Sequence, residues 1–166
     1  MTGFAFHSLD LFKGQVALCP MPGREGKYAG DLARIADWGP ALVLTMATAA
    51  EMRAKGAGAL GDDLAARGII WRHLPGEDYA ADSEALRVGW AGVSALAQGL
   101  LGSGGRVLVH CMGGCGRSGM AVLRLMVEAG EPADAALARL RAARPCALET
   151  DDQITWAASE RPRKAP

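Results

Sequence analysis

No stretch of the 166-residue chain approaches the ~20 consecutive apolar residues that a membrane-spanning helix needs. No basic segment followed by an apolar one opens it, so no secretory signal is expected and the protein is expected to be cytoplasmic. Neither charge is in excess, with 18 basic residues against 18 acidic ones. Nucleic-acid binders usually show a basic surplus, so nucleic acid is not an expected partner. Low-complexity linkers and internal repeats are also missing, which excludes disordered, collagenous and coiled-coil chains. The four cysteines, Cys19, Cys111, Cys115 and Cys146, contain no C-x-x-C pair, so no structural zinc site is expected. A chain of this length does not need disulfides, so all four are expected to be reduced. One of them then becomes a candidate nucleophile.

Half of the residues are apolar and 22% are charged, an ordinary globular balance. One domain is expected over residues 1–166, its core at about 14–160 and a frayed tail at 161–166. The basic residues are mostly Arg, and Ala and Gly abound, the mark of a GC-rich and expectedly bacterial genome. Continuous apolar runs predict buried strands at Gly14–Cys19, Ala41–Met46, Ile69–Leu74 and Arg106–His110. Helical periodicity predicts helices over Ala29–Trp38, from Thr48 with Glu51 as a capping box, and over Leu60–Arg67. A long helix should follow Asp82 as N-cap, burying Leu86, Trp90, Val93, Ala97 and Leu100. Ala121–Val127 is apolar almost all round, which suggests a central helix. Ala133–Arg144 and a segment from the capping box Thr150–Gln153 to about Ser159 complete the set. Helices alternating with short apolar strands define an α/β class. The expected architecture is a single three-layer domain with a central, mostly parallel sheet flanked by helices. Ligands in such sheets bind beyond the carboxyl ends of the strands, where the strand ending at His110 points.

The segment His110-Cys111-Met112-Gly113-Gly114-Cys115-Gly116-Arg117-Ser118-Gly119 lies at that place. A cysteine follows a buried strand, and an Arg opens a buried helix. The glycines between are able to turn backbone N–H groups inward, and a loop of this kind at a helix N-terminus cradles anions. The Arg117 fork can hold two oxygens of a tetrahedral anion. The same positive environment favours thiolate over thiol at Cys111. The loop would therefore bind an oxyanion and present a nucleophile to its central atom.

This segment resembles the H-C-x5-R-[ST] signature of cysteine-dependent protein phosphatases, in particular the dual-specificity branch around kinase-associated phosphatase and its bacterial relatives. Trp71 to Tyr79 resembles that branch's H-L-P-x-x-D strand and acid loop, and Arg144 to Gln153 its R-P-G-A-I-[EQ]-T-x-x-Q segment. The resemblance covers most of the chain after about Gly14. It departs at Cys146, where the pattern has Gly, and at Cys115, where an aliphatic residue is commoner. The proline that often follows the acid is also missing after Asp78.

The resemblance implies a metal-independent phosphatase that uses no cofactor and hydrolyses phosphomonoesters through a cysteinyl-phosphate. Cys111 would be the nucleophile, and Arg117 would bind the phosphate in a loop made with His110, Met112, Gly113, Gly114, Cys115 and Gly116. Ser118 would help the thiolate leave and could at the same time serve as the N-cap of the following helix. Of Glu77, Asp78 and Asp82, the H-L-P-x-x-D spacing selects Asp78 as general acid. Gln153 would position water or simply close its capping box. Cys19, Cys115 and Cys146 are expected to pack as small hydrophobes, Cys115 having the sharper alternative of a resolving thiol for Cys111. The expected partner is a phosphorylated protein carrying phosphotyrosine, with phosphoserine or phosphothreonine as further options. Inositol phosphates, phosphoinositides or nucleotides form the alternative substrate class. A sulfurtransferase and a silent phosphate-binding adaptor are the rivals from other classes.

Overall fold

The computed structural model describes residues 3–159, so the tail expected to fray lies outside the described residues. The elements are β1 (His7–Leu11), β2 (Gly14–Cys19), α1 (Tyr28–Trp38), β3 (Leu42–Thr45), α2 (Ala49–Ala54), α3 (Leu60–Ala65) and β4 (Ile70–His73). They continue with α4 (Glu84–Gly102), β5 (Arg106–His110), α5 (Gly116–Glu128), α6 (Ala133–Ala143) and α7 (Asp151–Ala158). One five-stranded sheet runs in the order β1-β2-β5-β3-β4. All its pairings are parallel except β1 with β2, which form a hairpin through Phe12 and Lys13. This is the expected three-layer α/β architecture.

The central strands are buried on both faces, which explains why they read as unbroken apolar runs. Val16 and Leu18 of β2, Leu42 and Leu44 of β3, and Val107 and Val109 of β5 face a core shared with α4, α5, α6 and α7. The residues between them, Ala17, Cys19, Val43 and Leu108, face a second core under α1, α2 and α3. Strand β1 was not expected. Its alternation of Leu9 and Leu11 with exposed Ser8 and Asp10 is the period-2 pattern of an edge strand with one buried face.

Two boundaries correct the sequence reading. The cap of α4 is Ser83, whose hydroxyl accepts from Leu86 N–H at 3.1 Å; Asp82 stands outside and pairs with Arg87 at 2.6 Å. Within α4, Leu101 is buried in place of the expected Leu100, which is only partly buried. Helix α5 begins at Gly116, five residues before the apolar run, with Cys115 at its N-cap. Ser118 is thus inside the helix and is not its cap. The glycine-rich start disguised a helical turn, and the reason for glycine is steric: a Cβ on Gly119 would meet Leu148 N at 2.7 Å.

The register places the carboxyl ends side by side. His110 is opposite both Cys19 and Thr45, and Thr45 is opposite His73. The chain leaves β5 from the middle of this row.

Candidate active site

Residues 111–116 form a loop whose carbonyls are held from outside one after another. The His110 ring, through Nδ1, lies 3.1 Å from Cys111 O. Met21 N–H donates to Met112 O at 2.9 Å. Arg144 donates through Nη2 to Gly113 O at 2.9 Å and through Nε to Gly114 O at 3.2 Å. Leu148 N–H donates to Cys115 O at 3.1 Å. In a trans peptide the C=O and the following N–H point in opposite directions. The N–H groups of residues 112–116 are therefore turned away from these five partners, toward the inside of the loop. Gly114 makes the turn with φ at +73°, and a Cβ there would come within 2.6 Å of the Cys19 backbone. A ring of inward N–H groups opening a 13-residue helix is an anion cradle.

Cys111 is a buried free thiol, its Sγ 3.3 Å from Ser118 Oγ. Arg117 is also buried, its side chain only 2% exposed. Its Nη1 donates to Glu51 Oε1 at 2.6 Å and to Gly76 O at 2.9 Å, and its Nη2 donates to Glu51 Oε2 at 2.9 Å. Nε is buried with no acceptor within reach, a donor left for a ligand. Burial opposes the Arg117 charge, but Glu51, Cys111 and Asp78 outweigh it and raise its affinity for the proton. In return, hydrogen bonding from Arg117 holds the Glu51 carboxyl at about 2, against the opposing effect of its own burial.

Glu51 is the residue that the sequence reading undervalued. Its capping box with Thr48 is present as expected, Thr48 N–H donating to Glu51 Oε1 at 2.9 Å and Glu51 N–H to Thr48 Oγ1 at 3.2 Å. The same carboxylate also anchors Arg117. A signal was available: a carboxylate capping a helix at the carboxyl end of a central strand lies beside whatever the sheet binds there.

Of the three loop acids, Asp78 is the one near Arg117, with Oδ1 3.5 Å from Nη2 and its side chain half exposed. Asp82 is engaged with Arg87, and Glu77 is exposed. The loop is tied on both sides of Asp78, by Arg117 to Gly76 O and by Gln153 Nε2 to Ala80 O at 3.5 Å. These ties stand where a following proline would otherwise stiffen the chain. Gln153 also closes its capping box, accepting from Glu149 and Thr150 N–H.

The cysteines require a correction. Cys19 packs in the second core as expected, and burial pushes its thiol up. Cys115 and Cys146, expected as separate small hydrophobes, form a disulfide with Cα atoms 5.2 Å apart. The two cysteines that depart from the phosphatase pattern are thus partners, and Cys115 is engaged away from Cys111. A cavity of about 300 Å³ opens among Phe4, His7, Arg24 and Arg144; none of Cys111, Arg117 and Asp78 lines it.

No protein-family model and no curated protein matches the chain. Among solved structures it is similar to kinase-associated phosphatase with its catalytic cysteine changed to serine. The TM-score is 0.80 at 20% identity, over 95% of this chain and 93% of that one. Tk-PTP in its active form matches at 29% identity and TM-score 0.70, over 90% and 92% of the two chains. PTPMT1 in complex with PI(5)P matches at 16% and 0.74, over 92% of each chain. The fold is that of the dual-specificity and protein-tyrosine phosphatases. Its structural neighbours are cysteine-based phosphatases, and the phosphatase activity that the signature loop implied is the one they support.

Proposed function

We propose that the chain hydrolyses phosphomonoesters through a cysteinyl-phosphate formed on Cys111, without a metal or cofactor. The observation that carries this reading is the convergence of three groups on one loop: the Cys111 thiol, the five inward N–H groups, and Arg117 with its unpartnered Nε. Cys111 Sγ attacks phosphorus while the N–H groups and Arg117 hold the equatorial oxygens, where charge accumulates in a loose transition state. Asp78, beside Arg117 and open to solvent, donates a proton to the leaving oxygen. Water then attacks the phosphocysteine, and the Ser118 hydroxyl, 3.3 Å from Sγ, stabilises the departing thiolate. His110, Met112, Gly113, Gly114, Cys115 and Gly116 shape the loop.

The substrate we favour is phosphotyrosine on a protein, with phosphoserine and phosphothreonine as further candidates. A phosphoinositide is the second reading, favoured by the PI(5)P complex of the neighbour PTPMT1. We assign a bacterial cytoplasm as the setting, where the reducing environment would hold Cys115 and Cys146 as the dithiol.

The test is a variant set on two aryl phosphates, one with an activated and one with a poor leaving group. Cys111→Ser should abolish turnover of both while still binding tungstate, and activity should persist in EDTA. Asp78→Asn should lower the rate on the poor leaving group by roughly 10²–10⁴-fold and leave the activated ester much less affected. The kcat/KM profile should be bell-shaped. Turnover by Cys111→Ser would sink the covalent mechanism, and a leaving-group effect on Asp82→Asn in place of Asp78→Asn would move the acid.

A further inference from the structure

The row of strand ends beneath the loop contains a chain of polar contacts that the reaction scheme does not use. Trp71 Nε1, on β4, donates to Thr45 Oγ1, on β3, at 2.8 Å. Thr45 Oγ1 lies 2.6 Å from His110 Nε2, at the end of β5. His110 Nδ1 lies 3.1 Å from Cys111 O. Thr45 and His110 are fully buried, so no water competes for these atoms.

The proton positions follow by elimination. A carbonyl oxygen only accepts, so His110 Nδ1 must carry hydrogen. Burial pushes the imidazole down to about 4, so at neutral pH it has one proton and no more. Nε2 is therefore bare and must accept, and the group placed to donate to it is the Thr45 hydroxyl. Thr45 has one hydrogen to give, and its oxygen is at the same time engaged by the indole N–H. Each link permits one direction: indole to Thr45, Thr45 to His110, His110 to the Cys111 carbonyl. The indole itself is seated on Gly61 of α3, where an added Cβ would meet Trp71 Cε3 at 2.6 Å, and it stacks on His73 with ring centroids 5.2 Å apart.

We propose that Thr45, oriented by Trp71, is a positioning residue for the Cys111 nucleophile. It fixes the tautomer and angle of His110, so that the imidazole grips the Cys111 carbonyl and turns the next N–H into the loop. The inference rests on the reading of Cys111 as the nucleophile. Without the Thr45 hydroxyl, Nε2 is a buried acceptor with no donor, and the ring is held only through its Nδ1–H bond to the Cys111 carbonyl. Its angle is then less firmly set, and its grip on the Cys111–Met112 peptide loosens at the point where the cradle begins. The charged and titratable groups facing this chain are His73 on β4, Glu51 on α2, and Arg117 on α5, all of which remain in the variants below.

The test uses Thr45→Val, which keeps the branched shape and removes the hydroxyl, Thr45→Ser, which restores it, and Trp71→Phe. In wild-type protein at pH 7, nitrogen-15 NMR should show His110 uncharged and protonated at Nδ1. Thr45→Val should shift the bare Nε2 resonance downfield as its hydrogen bond is lost, and Thr45→Ser should restore it. Alkylation of Cys111 by iodoacetamide, located by mass spectrometry, should be about tenfold slower at pH 6 in Thr45→Val, the weight of one buried hydrogen bond. The gap should close toward pH 9, which a merely misfolded loop would not do. Thr45→Ser should stay within about twofold of wild type, and Trp71→Phe should fall between. On an aryl phosphate, kcat should drop in Thr45→Val with KM nearly unchanged. A His110 proton on Nε2, wild-type alkylation by Thr45→Val, or equal damage in Thr45→Ser would each overturn the proposal. Neither NMR nor alkylation needs turnover. If both behave as stated and wild-type protein hydrolyses no phosphomonoester, positioning stands and the phosphatase reading alone falls.

Discussion

Arg117, buried, and Arg124, partly buried, stand two turns apart on α5, each paired with a glutamate. Around Arg124 the neighbours are an ion pair and two aromatic rings. Glu128 lies one turn on at 3.4 Å, and it also accepts from Trp90 Nε1 at 3.0 Å and from the Ser94 hydroxyl. The guanidinium lies over the Trp156 ring, 4.1 Å from its centroid, with Trp90 at 5.6 Å. Around Arg117 the carboxylate comes instead from another helix, and Asp78 of the acid loop lies 3.5 Å from Nη2. One pair joins α4, α5 and α7 into a scaffold. The other holds a cation beside Cys111 and the acid loop.

Exchanging each arginine for methionine should separate the two roles, and it carries the largest expected effect. Arg117→Met should cost roughly 10³-fold or more in kcat/KM, since a single oxyanion donor is worth about 10²–10³. Arg124→Met should leave kcat/KM within about twofold and lower stability by about 3–5 kcal/mol, the cost of stranding a buried partner charge. Chemical denaturation and steady-state rates on the same preparations check both. Comparable activity loss in the two variants would erase the distinction. Glu51→Gln refines it further: a glutamine still closes the Thr48 capping box but removes the charge. Activity should fall about 10–100-fold, in line with one charge-assisted hydrogen bond, while α2 stays capped.

The sequence made the site end of α5 more legible than its structural end, for a physical reason. Cys111, Arg117 and Ser118 are near neighbours in the chain, and local spacing records them. The same holds for Asp78 after its strand and for both capping boxes. Glu51 belongs to Arg117 across 66 residues, and Trp90 and Ser94 reach Glu128 across 38 and 34. No periodicity encodes such pairs. The buried strands were legible because two-sided burial demands apolar residues at every position. Edge strand β1 was not, because a five-residue alternation is too short to stand out. The start of α5 was misplaced because glycine argues for a loop unless the neighbour that excludes a Cβ is known. Cys115 and Cys146 were each visible as departures from a pattern; that they meet depends on how the Arg144–Gln153 segment folds against the loop.

That segment supplies the next test, since the disulfide binds the site end of α5 to the scaffold and has no counterpart near Arg124. Closing a separation of 31 residues should contribute about 2–4 kcal/mol. In oxidised protein Cys146→Ser should lower stability by that amount. Dithiothreitol should lower the Tm of wild type to the level of the variant and leave the variant unmoved. Activity should change less than stability, because Arg144 and Leu148 still hold the carbonyls of Gly113, Gly114 and Cys115. A wild-type Tm indifferent to dithiothreitol would show that the bond contributes nothing in solution.

A further effect should come from pH, and it too belongs to one end. His110 is held at about 4 by burial, against an ordinary value of 6.5. Above pH 6.5 the ring is neutral in both folded and unfolded chains, and its contribution is complete. As pH falls from about 6.5 to about 4 the unfolded chain takes up a proton that the folded one refuses, so stability declines through that window. Below about 4 both are charged and this loss stops growing. Glu51 acts lower: its carboxyl, held at about 2, stabilises the fold above its ordinary 4.5 and loses that effect as pH falls toward 2. His7, also lowered by burial, adds a loss of the same sign as that of His110 and is present in every variant compared. Melting curves between pH 7 and pH 4 should therefore slope downward in wild type and in Arg124→Met alike. His110→Asn, which can still donate to the Cys111 carbonyl, should flatten the slope. Parallel curves for wild type and His110→Asn would mean that the folded chain accepts a proton at His110 as readily as the unfolded one. The neutral imidazole that gives the Thr45 contact its direction would then be lost.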